Sequence, residues 1–370
     1  MVGETFEADI GAIAHGGHCV ARIPLVQGEP PRVVFVRHAL PGERALVTVT
    51  EGGSEDRFLR GDATTILTPS PDRVTAPCRY AGPEACGGCD FQHASLAAQR
   101  RLKGEVVEEQ LRRLAGVERA VTVEAVPLDD EADDGLRWRT RVQWAYDRQG
   151  RRGLRSHRSH EVVAVDDCLL LAPGARDASS SGIVSEVVGS HRFEVNSDGF
   201  WQVHRRAPQV LVDAVLDFAA PRPGEGVVDL YAGVGLFSAF LAEVVGPAGR
   251  VVAVEGVGRA TDHARANLAA YPWASVAAAD VSRFAVPAAD LVVLDPPRDG
   301  ARRPVVESIV AAGPSRVVYV ACDPAALARD VGTFAEHGYV LTDLRAFDLF
   351  PMTHHVECVA LLTKTGFDLR

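Results

Sequence analysis

Beyond about residue 200, apolar positions fall in short unbroken runs separated by stretches with helical spacing. The runs at 227–230, 250–254, 291–294, 317–320 and 358–362 read as strands, and 260–270 and 303–312 as helices. Unbroken apolar runs mark strands buried on both faces. Their alternation with helices predicts an α/β fold built on a parallel, doubly wound sheet. The first 60 residues differ. Short runs at 4–13, 33–36 and 45–49, with turns at Gly16-Gly17 and Pro41-Gly42, predict a small OB-type β-barrel, an architecture often used to hold oligonucleotides. Between these regions, 61–92 is rich in Pro and Cys and has little periodicity. Residues 96–114 then show helical spacing, with Leu102, Val106, Val107, Leu111 and Leu114 on one side. The acidic stretch 129–134 reads as a surface loop, and 139–145 and 161–165 as strands around an Arg/Gly turn. The pattern divides the chain into 1–60, 61–195 and 196–370, with a helix near 95–115 packing on the last part.

Length and composition narrow the class. The 370 residues are 47% apolar with no long uncharged apolar stretch, which predicts a soluble globular protein with no membrane partner. The N-terminus lacks a signal-peptide pattern, so a cytoplasmic location is expected. Thiols stay reduced there, and clustered cysteines point to metal or catalysis rather than disulfides. The formal charge of −10 argues against a nucleic-acid partner. Its distribution argues the other way: residues 137–160 hold eight arginines and one acid, Asp147, with Trp138, Trp144 and Tyr146 interleaved. Arginine with aromatics can hold phosphates and stack on unpaired bases.

Two strand ends carry the sharpest chemistry. Ala321-Cys322-Asp323-Pro324 follows the run 316–320, placing a cysteine where open α/β sheets present their reactive groups. His354-His355-Val356-Glu357 leads into the run 358–362 and supplies a carboxylate. A thiol nucleophile and a carboxylate base on neighbouring strand ends suit covalent activation of an electron-poor ring. Upstream, Asp229-Leu230-Tyr231-Ala232-Gly233-Val234-Gly235 runs from a strand through a Gly-X-Gly turn into a helix. Glu255 ends the next strand, where a carboxylate can accept both hydroxyls of a ribose. Ser238 replaces the third glycine of a dinucleotide fingerprint, so an adenosyl ligand such as S-adenosylmethionine fits better than NAD. Asp280 is placed to bind an adenine amino group. Asp295-Pro296-Pro297-Arg298 closes a further strand, with prolines that stiffen the loop.

Cys78, Cys86 and Cys89 form a C-x7-C-x2-C pattern with Gly87-Gly88 inside the tight pair, and Cys168 follows an acidic turn. Four thiolates suit an iron–sulfur cluster or a structural zinc. Spacing alone does not choose, although zinc ribbons usually carry two CxxC pairs and this chain has one. Cys19 and Cys358 read as ordinary buried thiols.

Taken together, these residues resemble the RNA (uracil-5-)-methyltransferase family over nearly the whole chain. His38-Ala39-Leu40-Pro41-Gly42-Glu43 looks like its TRAM barrel, and Cys78, Cys86, Cys89 and Cys168 look like the [4Fe–4S] ligands of its cluster-bearing branch, which acts on 23S rRNA. Phe200-Trp201-Gln202-Val203-His204 matches the segment whose glutamine touches the cofactor. Tyr231, Gly233, Gly235, Glu255, Asp280 and Asp295 match the S-adenosylmethionine pocket, Cys322 the nucleophile and Glu357 the general base. The resemblance implies a Rossmann-like class I methyltransferase domain behind a TRAM barrel and a small central iron–sulfur domain. It implies a monomer that methylates a uridine flipped out of a single-stranded loop of rRNA or tRNA. Leu236, His204 and Asp323 stand where that family usually has asparagine. Other readings are an amino-group methyltransferase, suggested by Asp295-Pro296-Pro297, and a non-catalytic RNA-binding iron–sulfur protein.

Overall fold

The computed structural model describes residues 1–24, 30–128 and 134–366. Strands β1 (Thr5–Ala14), β2 (His18–Ile23), β3 (Arg32–Arg37), β4 (Arg44–Glu51) and β5 (Phe58–Thr68) close into a barrel in the order β1-β2-β3-β5-β4. Alternate residues such as Val34, Val36, Ala45, Val47 and Val49 fill its interior, the period-two pattern of a small barrel. The apolar pattern fades near residue 60, yet β5 runs on to Thr68 and completes the ring against β3 and β4. Gly61, Asp62, Thr64 and Thr65 mask that strand in the sequence.

Helix α1 (Leu96–Gln110) joins the barrel to the rest. Ser95 caps it by accepting a hydrogen bond from the Ala98 amide. Ala98, Leu102 and Val106 enter the barrel's core, whereas Val107 and Leu111 enter the core of the large sheet. Leu114, expected on the same face, is 44% exposed. The last turn, Leu111–Ala115, is π-helical, and the extra residue per turn rotates Leu114 away. Strand β6 (Val123–Ala125) then pairs with the large sheet, so the segment between barrel and C-terminal domain donates an edge strand.

The middle of the chain forms small sheets from β7 (Arg139–Val142), β8 (Ala145–Tyr146), β9 (Arg152–Arg155), β10 (Val162–Ala164), β11 (Leu171–Asp177), β12 (Ile183–Val188) and β13 (His191–Asn196). The sequence pattern sets 139–145 and 161–165 around one turn. Instead β10 pairs with β9, and β7 pairs in parallel with β11. The acidic stretch expected as a surface loop lies, except for Asp134, outside the described residues.

The C-terminal part runs α2 (Ala207–Ala219), β14 (Gly226–Leu230), α3 (Leu236–Val245), β15 (Arg250–Glu255), α4 (Gly258–Asn267), β16 (Ala274–Ala278), β17 (Leu291–Leu294), α5 (Arg302–Ala312), β18 (Arg316–Ala321), α6 (Pro324–Glu336), β19 (Tyr339–Asp348) and β20 (Glu357–Lys364). These strands and β6 make one sheet in the order β16-β15-β14-β17-β18-β20-β19-β6. The expected all-parallel sheet needs one correction. β20 runs antiparallel to both β18 and β19, because the chain turns straight back after β19 through the short connection 349–356. Two apolar cores cover the faces, one under α2 and α3 and the other under α5, α6 and α1. Among the described residues no helix is long and apolar enough to cross a membrane.

One buried ion pair ties α1 to the end of β19. Lys103 Nζ donates to Asp348 Oδ1 at 2.6 Å and to the Phe350 carbonyl at 3.0 Å, with both side chains almost wholly buried. Removing one partner strands the other charge in the core. Lys103→Ala should therefore cost about 3–5 kcal/mol in denaturant unfolding. A loss under 1 kcal/mol would contradict this account of the pair.

Candidate active site

The site grows from four strand ends. Residues along a strand alternate between the sheet's faces, and Val227, Val293, Val320 and Val359 all enter the core under α2 and α3. Two positions on from the first three, and two back along antiparallel β20, the same face carries Asp229, Asp295, Cys322 and Glu357. The register fixes the last pair, because Ala321 lies opposite Cys358. Cys322 and Glu357 follow next in that ladder.

Asp295, Cys322 and Glu357 line a cavity of about 710 Å³ together with Gln202, Tyr231, Gly233 and Glu255. Two other residues of the expected cofactor set lie outside that lining. Gly235, at φ 89°, starts α3, and Asp280 caps a short 3-10 turn by accepting from the Ser282 amide at 2.9 Å. The loop after β14 is strained, with Tyr231 at a left-handed φ of 61°. Glu255 holds it in place: Oε2 accepts from the Gly233 amide at 2.9 Å and Oε1 from the Val257 amide at 2.7 Å. A carboxylate oxygen has a second lone pair, so Glu255 can anchor the loop and still accept from a ligand's hydroxyls.

Three carboxylates sit in this row with no cation paired to them among the described residues. Burial, and then the nearby Asp229 charge, pushes Asp295 up to about 7. Burial pushes Asp229 up to about 7 against a hydrogen bond from Ser238 Oγ at 2.5 Å, and Asp229 Oδ1 has no partner. Burial and Asp295 raise Glu357 well above the usual carboxylate range. The Cys322 thiol rises to about 12, through burial first and then the charges of Glu357 and Asp295, with Arg298 opposing. The resting thiol is therefore protonated near neutral pH.

The barrel reaches this end of the sheet. His15 Nε2, from the turn after β1, is 2.9 Å from Asp323 Oδ2, while Asp323 Oδ1 caps α6 by accepting from the Ala326 amide at 2.8 Å. Gly17 in that turn has φ 76°, and a Cβ there would come within 2.6 Å of the His354 Cβ. Of the positions where asparagine was the expected residue, Leu236 is buried in the core. His204 is buried against Trp138, 5.8 Å between ring centres, and is held neutral. Trp138 itself is core rather than an open stacking platform, whereas Tyr146 is 61% exposed and Arg152 lies 4.2 Å over Trp144.

Cys78, Cys86, Cys89 and Cys168 line a second, smaller cavity beside Gln92 and Arg139. Gln92 Nε2 donates to Cys89 Sγ at 3.2 Å. The Gly88 amide faces Cys86, and the Leu170 and Leu171 amides face Cys168. Burial raises the Cys86, Cys89 and Cys168 thiols. Among the described residues no three His, Cys, Asp or Glu side chains converge as the ligands of a single metal ion.

Several lining residues escape sequence reasoning. Phe200 flanks the quoted glutamine, and Arg298 ends the Asp-Pro-Pro-Arg motif. Asp90 reaches the cavity only through tertiary packing, and His157 and His354, although they lie in stretches the sequence marks, carry no local sign that they face it.

A family model described as tRNA (uracil-5-)-methyltransferase matches residues 276–365, and a TRAM-domain model matches residues 1–64. A protein of Streptomyces avermitilis named an uncharacterized RNA methyltransferase is 44% identical, over 98% of each chain. One of the same description from Bifidobacterium longum is 38% identical, over 97% of this chain and 96% of its own. The crystal structure of a Pyrococcus abyssi tRNA (uracil-54, C5)-methyltransferase in complex with S-adenosyl-L-homocysteine shares the fold, with a TM-score of 0.70 at 20% identity over 97% of this chain and 100% of that one. With its TRAM barrel, its α/β methyltransferase sheet and these relatives, the chain is an RNA methyltransferase and belongs to the S-adenosylmethionine-dependent RNA uracil-C5 methyltransferase family.

Proposed function

We propose that this protein methylates C5 of one uridine in 23S ribosomal RNA through a transient bond between Cys322 and C6 of the base. The observation that carries this reading is the neighbouring of Cys322 and Glu357 at one wall of the cavity that Gln202, Gly233 and Glu255 also line. The cavity suits a cationic adenosyl ligand: among the described residues no cation is paired with Asp295 or Glu357 in its wall, and Asp229, on the same face of the sheet, keeps Oδ1 without a partner. Glu255 would hold the ribose, with Gln202, Tyr231 and Asp295 around the rest; Gly235 would shape the loop and Asp280 would take the adenine edge. Bound S-adenosylmethionine supplies an electrophilic methyl group on a positively charged sulfur.

Uracil C5 is a weak nucleophile, and the chain's own groups overcome that. Cys322 loses its proton to water in the cleft and bonds to C6, which pushes the C5–C6 π electrons toward C5 and O4. C5, now electron-rich, would take the methyl group as the methyl–sulfur bond breaks and neutral S-adenosylhomocysteine is left. Glu357 then accepts the C5 proton, the freed pair rebuilds the C5–C6 double bond, and the C6–S bond breaks to return the thiolate. Arg298 favours that thiolate. The base must leave its stack to reach both groups, at a cost of a few kcal/mol, least in a single-stranded loop. The barrel and the arginines of 137–160 would hold the surrounding strand.

The four cysteines around one cavity fit a [4Fe–4S] cluster, which they would hold as thiolates stabilised by the amide and Gln92 donors aimed at them; this supports the ribosomal branch. The protein would act as a cytoplasmic monomer. The tRNA loop uridine is the second reading, favoured by the likeness to the archaeal tRNA enzyme. Mass spectrometry of nuclease-mapped RNA from cells lacking the gene separates the two. Loss of 5-methyluridine from a ribosomal fragment is the expected result, and loss from tRNA alone would overturn the substrate assignment.

Cys322→Ala should abolish methylation, and Glu357→Gln should trap a covalent protein–RNA adduct visible on a denaturing gel. Full turnover by Cys322→Ala would refute the mechanism. Asp229 and Asp295 titrate near pH 7, and a cation prefers their ionised forms, so binding releases protons and tightens as pH rises through that range. Calorimetry should find S-adenosylmethionine bound about three- to tenfold more tightly at pH 8 than at pH 6. The shift should be smaller for S-adenosylhomocysteine, whose sulfur is neutral. A dissociation constant that does not change with pH would contradict this electrostatic account.

A further inference from the structure

Glu357 owes its place to the backbone that carries it. Among the described residues no hydrogen bond or ion pair holds its carboxylate. The segment 349–356, which leads from β19 into β20, is instead strapped from outside by residues that follow the last cysteine of the tight pair. The Asp90 and Phe91 amides both donate to the Met352 carbonyl, at 2.9 and 3.0 Å. Gln99 Oε1 accepts from the Met352 amide at 2.8 Å. Asp90 Oδ2 accepts from the His354 amide at 3.1 Å and lies 2.6 Å from His354 Nδ1. Arg37 of β3 stands 3.7 Å from Asp90 Oδ1 on the other side. Met352 keeps a left-handed φ of 67°, a conformation that persists only where its surroundings hold it.

We propose that Asp90, through its bonds to His354, is a positioning residue for Glu357: the pair fixes the 349–356 segment and thereby sets the carboxylate against Cys322. This rests on Glu357 being the base that removes the C5 proton. Cys322 is positioned independently, by β18 and by the Asp323 cap of α6, and the cofactor loop by Glu255. Loosening the strap therefore affects one step. The thiol still adds and the methyl group still arrives, but proton removal slows and the covalent adduct persists. A purely structural role would lower adduct and product together.

The experiment uses the full-length protein with bulk rRNA and tRNA from cells lacking the gene, and radiolabelled S-adenosylmethionine. Asp90→Asn keeps the shape of the side chain, and His354→Ala alters one that is 30% exposed, so neither threatens the fold. Both should lower kcat about tenfold or more while KM for RNA and methyl donor stays within about twofold, since a small misplacement of a catalytic group acts on the chemical step. Both should accumulate adduct on denaturing gels, as is expected of Glu357→Gln. His354→Asn, whose side-chain amide can still donate to Asp90, should recover most of the turnover. Wild-type kcat in both Asp90→Asn and His354→Ala, or loss of turnover without adduct while Glu357→Gln still traps it, would overturn the positioning role alone. Absence of adduct even in Glu357→Gln would overturn the base assignment and this inference with it.

Discussion

The reversal of a single strand governs this active site. In a purely parallel sheet the end of β18 would be flanked by the end of another strand, with its first residues at the far side of the domain. Because β20 runs antiparallel to β18, its first residue stands where Cys322 leaves the sheet. The period-two alternation of buried strands then aligns Asp229, Asp295, Cys322 and Glu357 on one face. No long loop is needed to bring the thiol and the carboxylate together. The hydrogen-bond ladder that builds the core also aligns the two groups of the proposed reaction.

That alignment carries a stability cost. Placing three acids and a thiol in a buried row, with no cation paired to the acids among the described residues, raises every one of their pKa values. Such a row weakens the fold, and the apolar packing on both faces of the sheet offsets it. The same row suits a positively charged methyl donor, since binding supplies the charge that the chain withholds. It also keeps the Cys322 thiol protonated at rest, the form less open to oxidation. The barrel takes part in this arrangement. Its first turn meets Asp323 through His15 and presses Gly17 against His354. α1 fastens the barrel's core to the sheet with opposite faces of one helix.

Some of this was legible in the residues, for identifiable reasons. The run 291–294 is apolar without a break and forms a strand with those limits, because a strand buried on both faces leaves no other pattern. Cys322 and Glu357 stood out as reactive types at the ends of such runs. The direction of β20 was not legible, since an unbroken apolar run reads the same for either orientation. β5 was hidden by its glycine and threonines, and β6 by its three-residue length. The strap on the segment that leads to Glu357 was least visible of all. Asp90 and His354 are 264 positions apart, and no periodicity or local motif links residues at that distance.

In the proposed reaction Cys322 and Glu357 open and close a covalent bond at the uridine ring so that C5 exchanges its hydrogen for a methyl group. RNA labelled with tritium at uridine C5 tests it directly. With S-adenosylmethionine present, the protein should release tritium to water in a one-to-one ratio with methyl groups incorporated. Methyl incorporation without tritium release would place the methyl group elsewhere on the RNA and contradict the account.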